Sequence, residues 1–281
     1  MTTTIADPDL APHPPRLIQR PVMIHRWDRL ALVHHPYDPE VIQRLLPSDL
    51  QVDTFDGAGW VGIVPFRLSV RLPAWSPAVP WLSTTLETNV RTYVRGPDGR
   101  RGIFFFSLDV SRLLAALVAG TWYRIPYRWA RLRFERRGSV IRYQSLRREP
   151  VPAHLDLQLS VGPFVAPMDL TELERFLVCR WRLYSPRPGG IAVTEVDHEP
   201  WPLWRANVVT LEEKMVRSLG LPPIEADSSG LIAHYSSGVE ARFNRRRAVG
   251  NTRSPLQAES RLTADKAPPR PWLGLAQTPA R

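Results

Sequence analysis

A row of polar side chains in the segment ETNVRTYV has the clearest capacity for chemistry in this sequence. Successive side chains of an extended strand point to opposite sides, so one side carries Glu87, Asn89, Arg91 and Tyr93. A guanidinium binds a carboxylate through two parallel hydrogen bonds, and a carboxyl group can act as an acid or a base. The row therefore predicts a binding site for a small organic acid, with Glu87 and Arg91 as the catalytic candidates.

The next strand-like segment, GIFFFSLD, could line the same site. Strand alternation predicts that Phe105, Ser107 and Asp109 share one side, which makes Ser107 a candidate ligand contact. Ser107 and Asp109 could equally be turn and cap residues, because short polar side chains favour both positions.

A third segment, IRYQSLRR, places Tyr143, Ser145 and Arg147 on one side. Tyr143 is a candidate ligand contact, and Arg147 is a second candidate for binding an anion. A simpler interpretation stays open for all three segments, because solvated strand faces and structural ion pairs also display such residues.

Several kinds of site are disfavoured by the sequence. The seven histidines show neither HxxxH nor HxH spacing, and Cys179 is the single cysteine, so we expect no metal site and no disulfide. The sequence also contains no phosphate-binding glycine loop and no G-x-S-x-G elbow. We therefore predict no cofactor.

The net charge of +10 is unevenly distributed. Residues 245–281 contain eight basic and two acidic residues, a difference of +6, and the other +4 is spread over the rest of the chain. Such a spread is not typical of a DNA-binding surface, so nucleic acid is a disfavoured partner. The tail still allows a second hypothesis, a scaffold or interaction protein whose basic tail contacts an anionic partner.

Composition predicts one domain with two unstructured ends. Residues 1–20 are rich in proline and residues 245–281 in Arg, Pro, Ala and Ser, so we expect a flexible N-terminal segment, a domain over 21–244 and a disordered basic tail. The chain has neither an apolar run long enough to span a membrane nor a signal-peptide pattern. We expect a cytoplasmic protein, and the sequence is compatible with a homo-oligomer.

Short strand-like runs dominate the predicted domain. The turn sequences GPDG and Gly138-Ser139 predict two hairpins, over residues 84–109 and 129–148. Capping patterns predict helices that end near residue 46, that cover 113–119, and that lie near 170–177 and 211–219. Many strands with few short helices indicate a mainly β (α+β) fold, a barrel or a strongly bent sheet.

Eight segments occur in an order that resembles the YqjF-like family of conserved proteins of unknown function. They are WVGIVPFRLSVR, ETNVRTYV, GIFFFSLD, IPYRWARL, IRYQSLRR, RFLVCRWRLY, HEPWPLWRA and HYSSGVEARF. The resemblance covers about residues 21–244. It implies the fold of acetoacetate decarboxylase, a bent β-sheet or barrel around a small-molecule cavity with a few short peripheral helices.

The enzymes that lend this fold its name form a Schiff base through a lysine. This chain has only Lys214 and Lys266, neither of them near the corresponding segment, where Phe105, Phe106 and Ser107 stand. The resemblance therefore implies a binding barrel without that lysine, and the sequence leaves open whether the protein is an enzyme. A non-catalytic relative with a filled cavity is a further alternative, suggested by the three adjacent phenylalanines.

Overall fold

The computed structural model describes residues 7–71, 84–112 and 126–250, and strands dominate these ranges. In chain order the strands are β1 Met23–Tyr37, β2 Gln51–Val52, β3 Thr54–Phe55, β4 Ala58–Arg71, β5 Thr84–Arg95, β6 Arg101–Val110, β7 Tyr127–Trp129, β8 Arg131–Arg137, β9 Val140–Arg147, β10 Ala153–Val165, β11 Arg182–Arg187, β12 Gly190–His198, β13 Leu203–Glu213, β14 Ile232–Phe243 and β15 Arg247–Ala248. The helices are α1 Pro39–Gln43 and α2 Glu172–Val178, with 3₁₀ turns at Pro8–Leu10, Pro167–Asp169 and Arg217–Leu219. The predicted mainly β class is confirmed.

Seven of these strands form a closed ring. Neighbours pair in the order β4, β1, β14, β12, β11, β6 and β5, and β5 pairs with β4 again. The β12–β14 pairing, in which Val196 faces Phe243, closes the ring. The shortest junction joins β6 to β11 in parallel through only two residue pairs. The ring is a barrel, so each of its strands has one inner and one outer face.

The outer face of the ring is covered by the rest of the sheet. Strands β13, β10, β9 and β8 continue from β14. Ile63 of β4 and Val90 of β5 share one hydrophobic cluster with Ile141 of β9 and Leu157 of β10. All four are fully buried. This side of β5 therefore points out of the ring and into a second layer.

The inner face of the ring carries a separate core. Leu32 of β1 and Val64 of β4 cluster with Phe176 and Leu177 of α2. Truncating a buried leucine or phenylalanine to alanine typically costs about 2–5 kcal/mol. Helix α2 and the chain around it thus pack against the residues that point into the barrel.

Two predicted helices are present with shifted bounds. Helix α1 begins after Asp38, whose carboxylate accepts a hydrogen bond from a backbone N–H of the first turn. Helix α2 begins at Glu172 because Thr171 and Glu174 form the capping box, two residues later than predicted. The predicted helix at 113–119 lies outside the described residues.

The predicted helix at 211–219 is wrong. Strand β13 continues to Glu213, and only a 3₁₀ turn follows at Arg217–Leu219. The Glu213 carboxylate accepts hydrogen bonds from the backbone N–H groups of Val216 and Ile224. Glu213, which the sequence predicted as part of a helix cap, therefore stabilises the turn that follows the strand. Leu211 and Glu213 are buried while Glu212 is exposed, which is the alternation of a strand.

Both predicted hairpins are confirmed by the strand register. Arg95 faces Arg101 across the GPDG turn, and Arg137 faces Val140 across Gly138-Ser139. Gly138 has a φ of +60°, a conformation that glycine adopts without steric cost.

The N-terminal segment contacts the barrel from residue 7 onwards, which differs from the flexible segment predicted for residues 1–20. The Asp9 carboxylate accepts hydrogen bonds from the Arg100 side chain and from the backbone N–H of Arg101, at the start of β6. The indole of Trp181, just before β11, donates to the Ala11 carbonyl. These contacts bracket the short β6–β11 junction and reinforce it.

We expect Asp9→Asn to lower the free energy of unfolding by about 1.5–3 kcal/mol, the usual contribution of a hydrogen bond to a charged group. Burial opposes the charge of Asp9, but the hydrogen bonds from Arg100 and Arg101 and the nearby positive charges together outweigh burial and lower the pKa of Asp9. Denaturant unfolding at pH 7 measures the effect. Asp227→Asn, at an exposed position, is the control and should change stability by no more than about 0.5 kcal/mol. Equal midpoints for the two variants would contradict this role of Asp9.

The C-terminal boundary also differs from the prediction, which placed the start of a disordered tail at Arg245. Strand β15 pairs with β12, and the Arg246 side chain donates to the Pro186 carbonyl. Residues 251–281, with most of the basic tail, lie outside the described residues. Within the described ranges, none of the helices has the length and apolar character needed to cross a membrane.

Candidate functional site

The predicted polar row on β5 points into the barrel. Asn89 faces Val64 of β4 across the ladder, and Val64 belongs to the inner core. Glu87 and Asn89 are only 3% and 4% exposed, and Tyr93 is fully buried. The interpretation as a solvated sheet face is therefore wrong for these three residues. Arg91 is half-buried beside them.

Three buried atoms of this row have no hydrogen-bond partner among the described residues: Glu87 Oε2, Asn89 Oδ1 and Arg91 Nε. An unsatisfied buried polar atom typically costs about 1–3 kcal/mol, so native interiors contain few of them. Three on consecutive inward positions of one strand form a polar set that lacks its complement. Such a set is suited to a polar ligand.

Glu87 is predominantly protonated at neutral pH. Burial raises the pKa of Glu87 to about 8, the negative charge of Asp109 adds to this, and a hydrogen bond from Asn89 opposes it. A protonated carboxyl group can donate its proton to a ligand oxygen and take it back. The row thus combines an acid, an amide and a guanidinium.

Tyr93 is the last residue of the row. Its hydroxyl donates to the Leu177 carbonyl at 2.7 Å, and the Arg180 guanidinium stacks on its ring at 4.9 Å. Arg180 Nη2 lies 3.1 Å from Asp53 Oδ2, and burial lowers the pKa of Arg180 to about 10 in spite of that carboxylate. The structure therefore gives Tyr93 a packing role, unlike the ligand contact predicted from sequence.

Ser107 does not join the β5 row. The β5–β6 register pairs Val90 with Ser107 but Arg91 with Phe105, so Phe106 is an extra residue in a bulge. The bulge puts Phe105 on the inner side with Arg91, and Ser107 on the outer side with Val90. The prediction that Phe105 and Ser107 share one face is wrong.

Arg147 and Tyr143 belong to the second layer. Arg147 Nη1 donates to Asp109 Oδ1 at 2.6 Å, and its other nitrogens donate to the Val151 carbonyl and to Ser218 Oγ. Tyr143 packs in the hydrophobic cluster between the ring and this layer, where its hydroxyl has no hydrogen-bond partner in the described ranges. Arg147, buried and fully engaged, is neither the solvated strand residue nor the anion contact considered from sequence.

Two buried histidines that the sequence did not single out also line the barrel. His34 of β1 faces Gly62, which faces Arg91 on the other side. His198 of β12 packs among tryptophan rings, and its Nδ1 lies 2.7 Å from the Glu199 carbonyl. The pair His34-His35 carried a usable signal, because one of two adjacent strand histidines must point inward.

The described residues include no group of three or more His, Cys, Asp and Glu that could hold a metal ion. Lys214 is exposed after β13 and is remote from the row in the chain. The polar groups that the structure describes inside the barrel thus include Glu87, Asn89, Arg91, Arg180 and the histidines.

A closed, strongly bent barrel with polar side chains inside defines the acetoacetate-decarboxylase-like fold. The enduracididine biosynthesis enzyme MppR, in complex with the condensation product of pyruvate and imidazole 4-carboxaldehyde, superimposes with a TM-score of 0.61 at 13% identity, over 83% of this chain and 91% of that one. An acetoacetate decarboxylase-like enzyme from Sphingomonas wittichii RW1 gives 0.55 at 15% identity, over 82% and 94%.

The family model DUF2071, "Uncharacterized conserved protein (COG2071)", matches residues 25–240. The chain belongs to this family. It is 31% identical over 224 residues to "Uncharacterized protein YqjF" of Bacillus subtilis (strain 168), which covers 79% of this chain and 90% of that protein. The resemblance inferred from the eight segments is thus confirmed.

Proposed function

We propose that this protein binds a small organic acid inside the barrel, with Arg91 contacting the carboxylate. The observation that carries the proposal is the set of buried, unsatisfied atoms on the inner side of β5. Arg91 Nε lacks an acceptor, which a carboxylate oxygen supplies. A ligand hydroxyl could donate to Asn89 Oδ1, and a ligand carbonyl could accept the proton of Glu87.

Glu87 gives the site a means of acid–base chemistry. The protonated carboxyl can transfer its proton to an oxygen of the bound acid, and the carboxylate can recover a proton afterwards. No lysine takes part, because β6 carries Phe105 and Phe106 in the segment that the resemblance aligns with the Schiff-base lysine. Turnover, where it occurs, therefore proceeds without an imine.

A fold neighbour supports the ligand class. MppR was solved with a ligand formed from pyruvate, a small oxo acid. At 13% identity the likeness shows the fold alone. The assignment of an organic acid to this chain therefore depends on Arg91 and Glu87 themselves.

A thermal-shift screen of small carboxylic acids tests the proposal, with wild type and Arg91→Met compared in parallel. A ligand at about 100 times its Kd stabilises the folded state by roughly 2.7 kcal/mol, which raises Tm by about 5 °C or more for a domain of this size. We expect the shift in wild type and its loss in Arg91→Met.

Arg137→Met is the matched control, because Arg137 is exposed in the β8–β9 hairpin, with its side chain 90% accessible. It should retain the full shift of wild type. An equal shift in all three proteins would show that the acid binds elsewhere, and no shift with any acid would overturn the proposal.

A further inference from the structure

His34, Gly62 and Arg91 lie side by side across three strands of the barrel. A Cβ atom built on Gly62 would lie 2.8 Å from His34 Cδ2, 3.2 Å from His34 Nε2 and 3.5 Å from Arg91 Cγ. The imidazole and the arginine side chain therefore approach each other over the space that the glycine leaves open. Gly62 has an ordinary strand conformation, so its lack of a side chain serves this close approach and not a turn.

The imidazole of His34 is fully buried, and neither ring nitrogen has a hydrogen-bond partner within the part of the chain that the structure describes. Burial, the charge of Arg91 and the nearby His234 hold the pKa of His34 well below its ordinary value. A neutral imidazole presents one donor and one acceptor. His34 therefore offers both kinds of hydrogen bond without adding charge beside Arg91.

Two other buried histidines have a protein partner for one ring nitrogen. His234 Nε2 lies 3.0 Å from Glu174 Oε1, and His198 Nδ1 lies 2.7 Å from the Glu199 carbonyl. These bonds account for their burial as structural residues. The described residues give His34 no such bond. Its strand position nevertheless places it beside Arg91, with Gly62 between them.

We infer that His34 is a specificity-determining residue of the barrel site, whose imidazole bonds a hydroxyl or carbonyl oxygen that the ligand carries close to its carboxylate. The inference rests on the proposed function, because it takes Arg91 as the carboxylate contact. It adds that the site prefers acids with a hydroxyl or carbonyl group next to the carboxylate over acids without one. Gly62 leaves room for the His34 imidazole and the Arg91 side chain to lie side by side.

Lactate and propionate are the probes, because they differ only in the hydroxyl group next to the carboxylate. Calorimetric titration of the full chain should give a Kd at least about 10-fold lower for lactate, corresponding to roughly one hydrogen bond with a buried partner. His34→Phe should abolish this preference and leave the Kd for propionate within about 3-fold of wild type. His34→Gln, which keeps a donor and an acceptor, should restore part of the preference.

Gly62→Ala should weaken both acids, since the added methyl group meets His34 and Arg91 together. His13→Phe, at an exposed position, is the control and should bind as wild type does. Should His34→Phe fail to fold by circular dichroism, His34→Leu, which also lacks hydrogen-bonding groups, takes its place in the comparison.

The outcomes separate this inference from the proposed function. A lactate preference that survives in both His34 variants overturns the inference alone. Equal binding of the two acids by wild type, lost in Arg91→Met, also overturns it while the proposed function stands. Binding of neither acid by wild type, when the screen identifies another acid that Arg91 binds, overturns the inference alone, and failure of every acid in the screen overturns both.

Discussion

Replacing Glu87 by glutamine is expected to stabilise the folded protein by about 2–5 kcal/mol at pH 9 and to leave its stability near pH 4 almost unchanged. Burial raises the pKa of Glu87 to about 8, from an ordinary value of 4.5. The folded state therefore binds more protons than the unfolded state between these two pH values. The contribution of Glu87 to stability is complete below pH 4.5 and is lost as the pH rises through 8.

Urea unfolding of wild type and Glu87→Gln across pH 4–9 measures this effect, and the difference between the two curves removes the contributions of other groups. The difference should grow by at most about 1.4 kcal/mol per pH unit between pH 4.5 and 8 and then level off. Glu135→Gln is the control, because that carboxylate is exposed on β8. A constant difference between wild type and Glu87→Gln would mean that Glu87 ionises normally in the folded protein.

Arg147→Met is expected to destabilise the protein by about 3–5 kcal/mol, the typical result of leaving one charge of a buried pair alone. Arg147 and Asp109 are 4% and 0% exposed and lie 2.6 Å apart. Burial raises the pKa of Asp109 in spite of the adjacent guanidinium. The folded state therefore depends on Arg147 to offset the cost of burying the Asp109 carboxyl group.

Arg142→Met provides the matched control on the same strand. Arg142 pairs with Asp156 in an exposed position, and such pairs contribute about 0–1 kcal/mol. The double variant Asp109→Asn/Arg147→Met should recover much of the stability that Arg147→Met loses, because no uncompensated charge remains. If Arg147→Met and Arg142→Met unfold at the same denaturant concentration, the buried pair has no special weight.

Local patterns predicted much of the sheet. The turn sequences GPDG and Gly138-Ser139 located both hairpins, and the alternation in ETNVRTYV identified the shared face of Glu87, Asn89 and Arg91 correctly. These features depend on residues close together in the chain. Sequence reasoning therefore reaches them without knowledge of the whole fold.

The features that sequence reasoning did not reach depend on pairing between strands that are far apart in the chain. Whether the polar side of β5 is inside or outside depends on closure of the ring between β12 and β14, more than 100 residues away. A single extra residue at Phe106 moved Ser107 to the opposite face, because side chains alternate with a period of two. The prediction for Arg147 missed Asp109, its partner on a distant strand.

The pairing of β1 with β14 has a consequence for the newly made chain. Met23 faces Phe243, so β1 cannot complete its native pairing until β14, near the end of the described chain, has been synthesised. At a synthesis rate of about 5–20 residues per second, the intervening chain takes roughly 10–45 seconds to emerge. Throughout that interval one edge of β1 lacks its native neighbour and can pair with other chains.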